Sequence, residues 1–175
     1  HNDTAFRKEL PKLYPNISFK FALQERPLGT AHVIHQAKHL INRGDDIFIL
    51  FCDTIFQHDL SCIKEKNEEF DGIMFSQEVE DPRRFGVVLH ENRVMTGMVE
   101  KPENPTSNLV NIGAYYIKDG FRFIRYIQEA MDENIKVKGV VYLTQAFFLM
   151  IKDGRKIWVE STDIWLDVGK IETVL

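Results

Sequence analysis

Six consecutive apolar residues, Ile47-Phe48-Ile49-Leu50-Phe51-Cys52, stop abruptly at Asp53. The run is far shorter than the ~20 residues a membrane span needs. A strand that is apolar on both faces belongs in a parallel sheet covered on both sides. Asp46 to Cys52 therefore reads as a buried parallel strand. Asp53 then sits at its carboxyl end, where open α/β sheets hold their ligands.

The flanking segments extend that reading. Residues from about Thr4 to Tyr14 have helical character that Pro11 interrupts or ends. Ile17, Phe19, Phe21 and Leu23 alternate with more polar neighbours, the period of a strand with one apolar face. Pro27 and Gly29 mark a loop, and a helix is expected from about Thr30 to Ile41, with Val33, Ala37, Leu40 and Ile41 on one stripe. Leu60 to Glu69 reads as a helix and Gly72 to Val79 as a strand. Strand, helix, strand, helix, strand is crossover logic. The pattern then changes. Phe85 to His90 and Arg93 to Glu100 read as two strands joined at Glu91-Asn92. A strand from about Val110 to Ile117, helices at Gly120 to Met131 and Leu143 to Ile151, and a short strand at Lys156 to Glu160 follow. The final segment is Trp165-Leu166-Asp167-Val168-Gly169.

Composition excludes several classes. A chain of 175 residues, 44% hydrophobic and 27% charged, suits one ordinary domain with its own core. Net charge is -4, with lysine and arginine scattered, so the basic stripe of a nucleic-acid binder is missing. Cys52 and Cys62 make no disulfide framework, and free thiols suit a reducing compartment. The expected setting is cytoplasmic, with neither nucleic acid nor membrane as partner.

Several residues are candidates for chemistry. Asp53 could hold Mg²⁺, which prefers oxygen ligands, or could simply cap the next helix. Asp167, followed closely by Gly169, could complete a metal site with Asp53 or merely cap a turn. Lys101, in Glu100-Lys101-Pro102, offers a point charge to a phosphate, and Glu100 can accept from hydroxyls. Pro102 pushes the residue before it towards extended geometry. Asn108 and Asn111 bracket the start of a strand, and Asn111, among Leu109, Val110 and Ile112, is the better reader of a hydroxyl. In Gln24 to Ala31, Gly29 could let a planar base lie against backbone while Gln24 reads its edge. Gly86 allows close approach to backbone or marks a bulge. His32, His35 and His39 share helical spacing but lack the carboxylate or cysteine that a zinc site would add.

Taken in order, Gln24 to Ala31, Cys52 to Phe56, Asp81 to Val88, Val99 to Pro102, Ser107 to Tyr116 and Trp165 to Glu172 resemble the nucleotidyltransferase family that makes sugar nucleotides. The family includes glucose-1-phosphate thymidylyltransferases and UTP–glucose-1-phosphate uridylyltransferases. The resemblance covers nearly the whole chain. It implies an α/β, Rossmann-like three-layer nucleotidyltransferase fold with a mostly parallel mixed sheet, one domain over residues 1–175. It implies transfer of a nucleotidyl group from a nucleoside triphosphate to a sugar 1-phosphate, with pyrophosphate leaving and Mg²⁺ as cofactor. UTP or dTTP is favoured, because uracil and thymine present the same pairing face. Gln24 and Gly29 fall at base-reading positions, and Asp53 and Asp167 at the metal positions. Gly86, Glu100 and Asn111 fall at sugar contacts, and Lys101 at the sugar phosphate. The family often forms homo-oligomers. Two departures stand out. These enzymes begin with a strand and a glycine-rich loop that grips the triphosphate, and this chain has no Gly-Gly pair. The expectation is an N-terminally incomplete domain, with a catalytically inactive or regulatory relative as the alternative. Val140 to Thr144 also lacks the acidic residue expected before its helix.

Overall fold

The computed structural model describes residues 3–134, 136–137 and 139–169. The tail of the Trp165 to Glu172 motif, residues 170–172, lies outside them.

The helices are α1 (Asp3–Leu13), α2 (Thr30–Gln36), α3 (Cys62–Lys66), α4 (Gly120–Asp132) and α5 (Leu143–Lys152). The strands are β1 (Ile47–Leu50), β2 (Thr54–Gln57), β3 (Gly72–Glu78), β4 (Gly86–Glu91), β5 (Val94–Glu100), β6 (Leu109–Ile117), β7 (Ile157–Ser161) and β8 (Ile164–Asp167). The main sheet runs β1-β6-β3-β7-β5-β4, and β4 pairs back onto β6. Five strands thus close a ring, with β1 attached outside it. A separate two-stranded ribbon joins β2 to β8.

This corrects the expected Rossmann-like, mostly parallel sheet. Among the described residues only β3 and β7 pair in parallel. The physical reason is β6. Both β1 and β3 run antiparallel to it, so β1 and β3 point the same way but never touch as neighbours. β4, β5, β6, α4 and α5 all lie between β3 and β7 in the chain, which gives the long connection that parallel pairing requires. The β4–β5 hairpin turns on Asn92 and Arg93, with φ of 50° and 63°, and closes the ring antiparallel. Positive φ at both central residues matches the strand twist of a tight hairpin.

The apolar run ends up elsewhere than expected. β1 is an edge strand, with Ile49 buried and Phe48 and Leu50 exposed. Ile17 to Gln24 forms no strand, and Ile17 and Leu23 are exposed. The helix expected from Thr30 to Ile41 stops at Gln36 and continues as a 3₁₀ turn over Lys38–Leu40. Pro11 lies inside α1 rather than ending it.

Alternation along β3 and β6 divides the core. Met74, Tyr115 and Ile117 face α4 and α5, where Phe123, Ile127, Phe147 and Met150 complete one cluster. Ile73, Phe75, Ile112, Ala114 and Tyr116 face the other way, against Cys62, Phe56 and Trp165 from α3 and the ribbon. Each strand thus buries both faces through its period of two. The register of β3 against β6 jumps between Met74↔Tyr115 and Ser76↔Asn111, so β6 carries a bulge centred near Gly113. Gly113 has φ 79°, and a side chain there would run into the Phe51 ring. The bulge takes Ile112 and Gly113 out of register with β3, and both line a cleft beside Asn111.

Candidate active site

A cleft of about 510 Å³ lies where the bulge of β6, the ends of β4 and β5, and the ribbon meet. Asp53, Gly86, Glu100, Lys101, Asn111 and Asp167 all line it. Six residues separated by more than a hundred positions in sequence meet here, four brought by the closed sheet and two by the ribbon.

The two aspartates meet through the ribbon. In the β2–β8 register Thr54 faces Asp167, so Asp53 stands one step beyond the pair. Val168 N donates to Asp53 O at 2.9 Å and extends the ladder past it. Gly169 N donates to Asp167 Oδ1 at 3.0 Å. A Cβ on Gly169 would lie 3.0 Å from Asp167 Oδ1 and 3.1 Å from Asp53 Oδ2, so one oxygen of each carboxylate borders the same point. Thr54 Oγ1 donates to Ile112 O and ties the ribbon to β6. Two oxygen donors bordering a shared point fit Mg²⁺, which takes one or two carboxylates and fills its other positions with water and phosphate oxygens. Arg84 Nη2 lies 3.5 Å from Asp167 Oδ2 and offsets part of the charge.

Glu100, Lys101, Gly86 and Asn111 form a tight unit. Asn111 Nδ2 donates to Gly86 O at 3.0 Å, and Tyr115 Oη donates to Asn111 Oδ1. A Cβ on Gly86 would collide with Asn111 Nδ2 and come within 2.7 Å of Met98 Cε and 3.2 Å of Glu100 Oε2. Glycine is therefore the residue that lets the two polar side chains share this space. Burial, then the carboxylates of Glu100 and Asp53, push the Tyr115 phenol above its ordinary range, so it remains a donor to Asn111.

Lys101 departs from expectation. Its φ is 47°, left-handed rather than extended, although Pro102 follows it. A non-glycine residue held there costs roughly 1–3 kcal/mol, which the surroundings must offset. Three contacts do so. Lys101 N donates to Phe85 O at 2.9 Å, Nζ donates to Tyr142 Oη at 3.1 Å, and Nζ lies 3.7 Å from Glu100 Oε1. Nζ also sits 4.5 Å from the Tyr142 ring centroid. The ammonium is held at the cleft by Glu100, at the end of β5, and by Tyr142, which precedes α5.

Gln24 and Gly29 stand apart from this group. Gln24 Nε2 donates to Gly29 O at 3.2 Å and lies 2.9 Å from His32 Nδ1, so its amide is engaged inside its own loop. Gly29, with φ 107°, packs against the Val141 backbone. Thr30, next in the chain, does line the cleft, and its Oγ1 accepts from Leu143 N at 2.9 Å. The histidines of α2 gather no metal set: His32 bonds Gln24 and Gln36, and His35 bonds Gln128 across to α4. Burial lowers the His35 pKa, which favours its neutral form.

Sequence reasoning passed over Arg84, Tyr142, Thr144 and Trp165, all in the cleft wall. Thr144 Oγ1 and Trp165 Nε1 are buried without hydrogen-bond partners. Buried polar atoms in native proteins nearly always have a partner, so these two mark places for ligand or water. Thr144 lies in the segment singled out for lacking an acid, and its hydroxyl was the available signal.

A profile of nucleotidyl transferases matches residues 1–175. The chain belongs to the nucleotidyl transferase family, on its sugar-nucleotide branch. It is 32% identical over 156 residues to the bifunctional protein GlmU of Methanococcus aeolicus, covering 89% of this chain and 36% of that protein. It is 29% identical over 165 residues to the low-salt glycan biosynthesis nucleotidyltransferase Agl11 of Haloferax volcanii, covering 91% and 44%. The chain thus spans less than half the length of these curated relatives. The fold resembles a glucose-1-phosphate thymidylyltransferase structure from Bacillus anthracis, with TM-score 0.81, 23% identity, and coverage of 99% and 69%. A UDP-glucose pyrophosphorylase structure gives TM-score 0.77 at 21% identity, with coverage of 97% and 69%. No helix among the described residues is long and apolar enough to cross a membrane.

Proposed function

We propose that the whole protein transfers a nucleotidyl group from a nucleoside triphosphate to a sugar 1-phosphate, releasing pyrophosphate. In this reading the present domain supplies the metal carboxylates and the sugar-phosphate wall. The observation that carries it is that one oxygen each of Asp53 and Asp167 borders the same point, in the cleft that also holds Lys101, Glu100 and Asn111. Family membership supports the reaction class.

Asp53 and Asp167 would hold Mg²⁺, which offsets phosphate charge and orients the reacting oxygens. Lys101 Nζ, pinned by Tyr142 and Glu100, is placed to meet the sugar phosphate as a point charge. Its fixed position means the enzyme does little reorganising when substrate arrives. Glu100 accepts from sugar hydroxyls, while Asn111, held by Gly86 and Tyr115, keeps one N–H for them. The attacking sugar-phosphate oxygen needs no protein nucleophile, so positioning and charge compensation carry the rate. Gln24 and Gly29 are assigned to the base, with UTP or dTTP preferred over the purine nucleotides.

The test is pyrophosphate release with Mg²⁺ across UTP, dTTP, ATP and GTP, each with glucose 1-phosphate and N-acetylglucosamine 1-phosphate. Release that needs both substrates and metal supports the proposal. Folded protein silent across the panel would instead favour the regulatory relative.

A further inference from the structure

A second cluster of metal-ligating side chains lies at the far end of the β2–β8 ribbon. His58, Cys62 and Glu160 each present a ligand atom, and the three atoms lie within 4.8 Å of one another. They come from three places: the loop after β2, the first residue of α3, and β7. Cys62 is buried, and the His58 and Glu160 side chains are only 12% and 16% exposed. His58 Nε2 is 3.8 Å from Glu160 Oε1, and His58 Nδ1 is 3.4 Å from Asp163 Oδ2. Nδ1 is buried and makes no hydrogen bond.

We propose that His58, Cys62 and Glu160 form a zinc-class metal site, separate from the Asp53–Asp167 pair, with Asp163 orienting His58. The donor set is the argument. A thiolate, an imidazole and a carboxylate suit Zn²⁺ and do not suit Mg²⁺. Tetrahedral zinc with bonds of about 2.0–2.3 Å sets its ligands about 3.3–3.8 Å apart. The His58–Glu160 separation already falls there, and the cluster as a whole closes with a shift of about 1 Å. With Nε2 on the metal, Nδ1 lies 3.4 Å from Asp163 Oδ2, and a small turn of the ring would complete the outer hydrogen bond that ligating histidines usually have.

Other groups face the same spot. Trp158 Nε1 donates to Glu160 Oε2 at 2.7 Å, leaving Oε1 for the metal. Arg93 Nη1 lies 3.6 Å from that Oε1 and competes for it. Asp59, Glu65 and Lys66 line the same depression. Burial first, then Glu160, Asp59 and Glu65, push the Cys62 thiol up to about 11, so without a cation it stays protonated. Metal binding here releases a proton and ties α3 and the His58 loop to β7. Asp53 and His58 lie five residues apart along the extended β2 segment, roughly 16 Å. The site therefore anchors one end of the ribbon whose other end carries the proposed catalytic carboxylates. The proposal does not depend on the nucleotidyl-transfer reading.

The experiment is calorimetric titration of metal-free protein with Zn²⁺, together with Co²⁺ absorption on the wild type. One Zn²⁺ per chain is expected, and Co²⁺ should show a thiolate charge-transfer band. Cys62→Ala and His58→Ala should weaken Zn²⁺ binding roughly 100-fold, and Asp163→Asn about tenfold. Arg93→Ala should tighten it, and Asp53→Asn with Asp167→Asn should leave it unchanged. Absence of saturable Zn²⁺ uptake, Co²⁺ binding without the thiolate band, or uptake undiminished in Cys62→Ala and His58→Ala would overturn the site. The Co²⁺ spectrum decides the matter on wild-type protein even where a variant fails to fold.

Discussion

The cleft wall and the loop that precedes α2 are built differently. The side formed by β4, β5 and β6 is set by the sheet: Gly86 and Val88 are buried in it, Asn111 has both ends of its amide engaged, and Lys101 is held by three neighbours. The loop of residues 17–29 lies outside the cleft lining and has no regular structure, and its Ile17, Leu23 and Leu28 are exposed. Gln24 there bonds its own loop. The contrast teaches that the proposed sugar-phosphate wall is fixed before substrate arrives, whereas the proposed base-reading loop rests on a few local bonds. Losses at the first should be large and specific, and losses at the second small.

The largest effect is expected at the carboxylate pair. Asp53→Asn or Asp167→Asn should lower the rate of pyrophosphate release about a thousandfold, the scale for removing a preorganised electrostatic group. Lys101→Ala should follow. Losing a charge-assisted contact of about 1.5–3 kcal/mol predicts roughly 10- to 150-fold lower kcat/KM for the sugar phosphate. Steady-state kinetics should show little change in the triphosphate KM. Gly86→Ala should destabilise the fold by about 1–3 kcal/mol, because the new methyl overlaps the Asn111 amide. Thermal unfolding should show the melting point falling by a few degrees, with the sugar-phosphate KM rising alongside. Gln24→Ala is the smallest. A neutral hydrogen bond of about 0.5–1.5 kcal/mol limits the rise in triphosphate KM to roughly tenfold. An effect of Gln24→Ala as large as that of Lys101→Ala would erase the contrast between wall and loop.

The sequence revealed the elements with strong local pattern and missed what depends on pairing. β3, β5, β6, α4 and α5 stand within a residue or two of where periodicity put them. The alternation from Ile17 to Leu23 is as regular, yet no neighbouring strand pairs with it among the described residues, and alternation without a partner does not make a strand. The apolar run before Asp53 was read as a parallel strand because burial on two faces is the usual reason for such a run. Among the described residues its partner is β6 alone, and direction is a property of the partner. The ribbon was invisible for a different reason. β2 and β8 have four residues each, and Ile55, Ile164 and Leu166 face solvent, so neither has a one-sided pattern. Asp53 and Asp167 were nonetheless legible as candidates, through the strand end and the nearby glycine. Arg84, Tyr142 and Trp165 were not, because they reach the cleft from a 3₁₀ turn, the start of α5 and the ribbon, which only the tertiary fold brings together.

The central claim is that the β2–β8 ribbon brings Asp53 and Asp167 to one ion. A double-mutant cycle on pyrophosphate release tests it most directly, with Asp53→Asn, Asp167→Asn and the pair combined. If both carboxylates serve one ion, the combined variant should be little worse than either single one. Losses that multiply would mean that the two aspartates act independently, and would contradict the shared site.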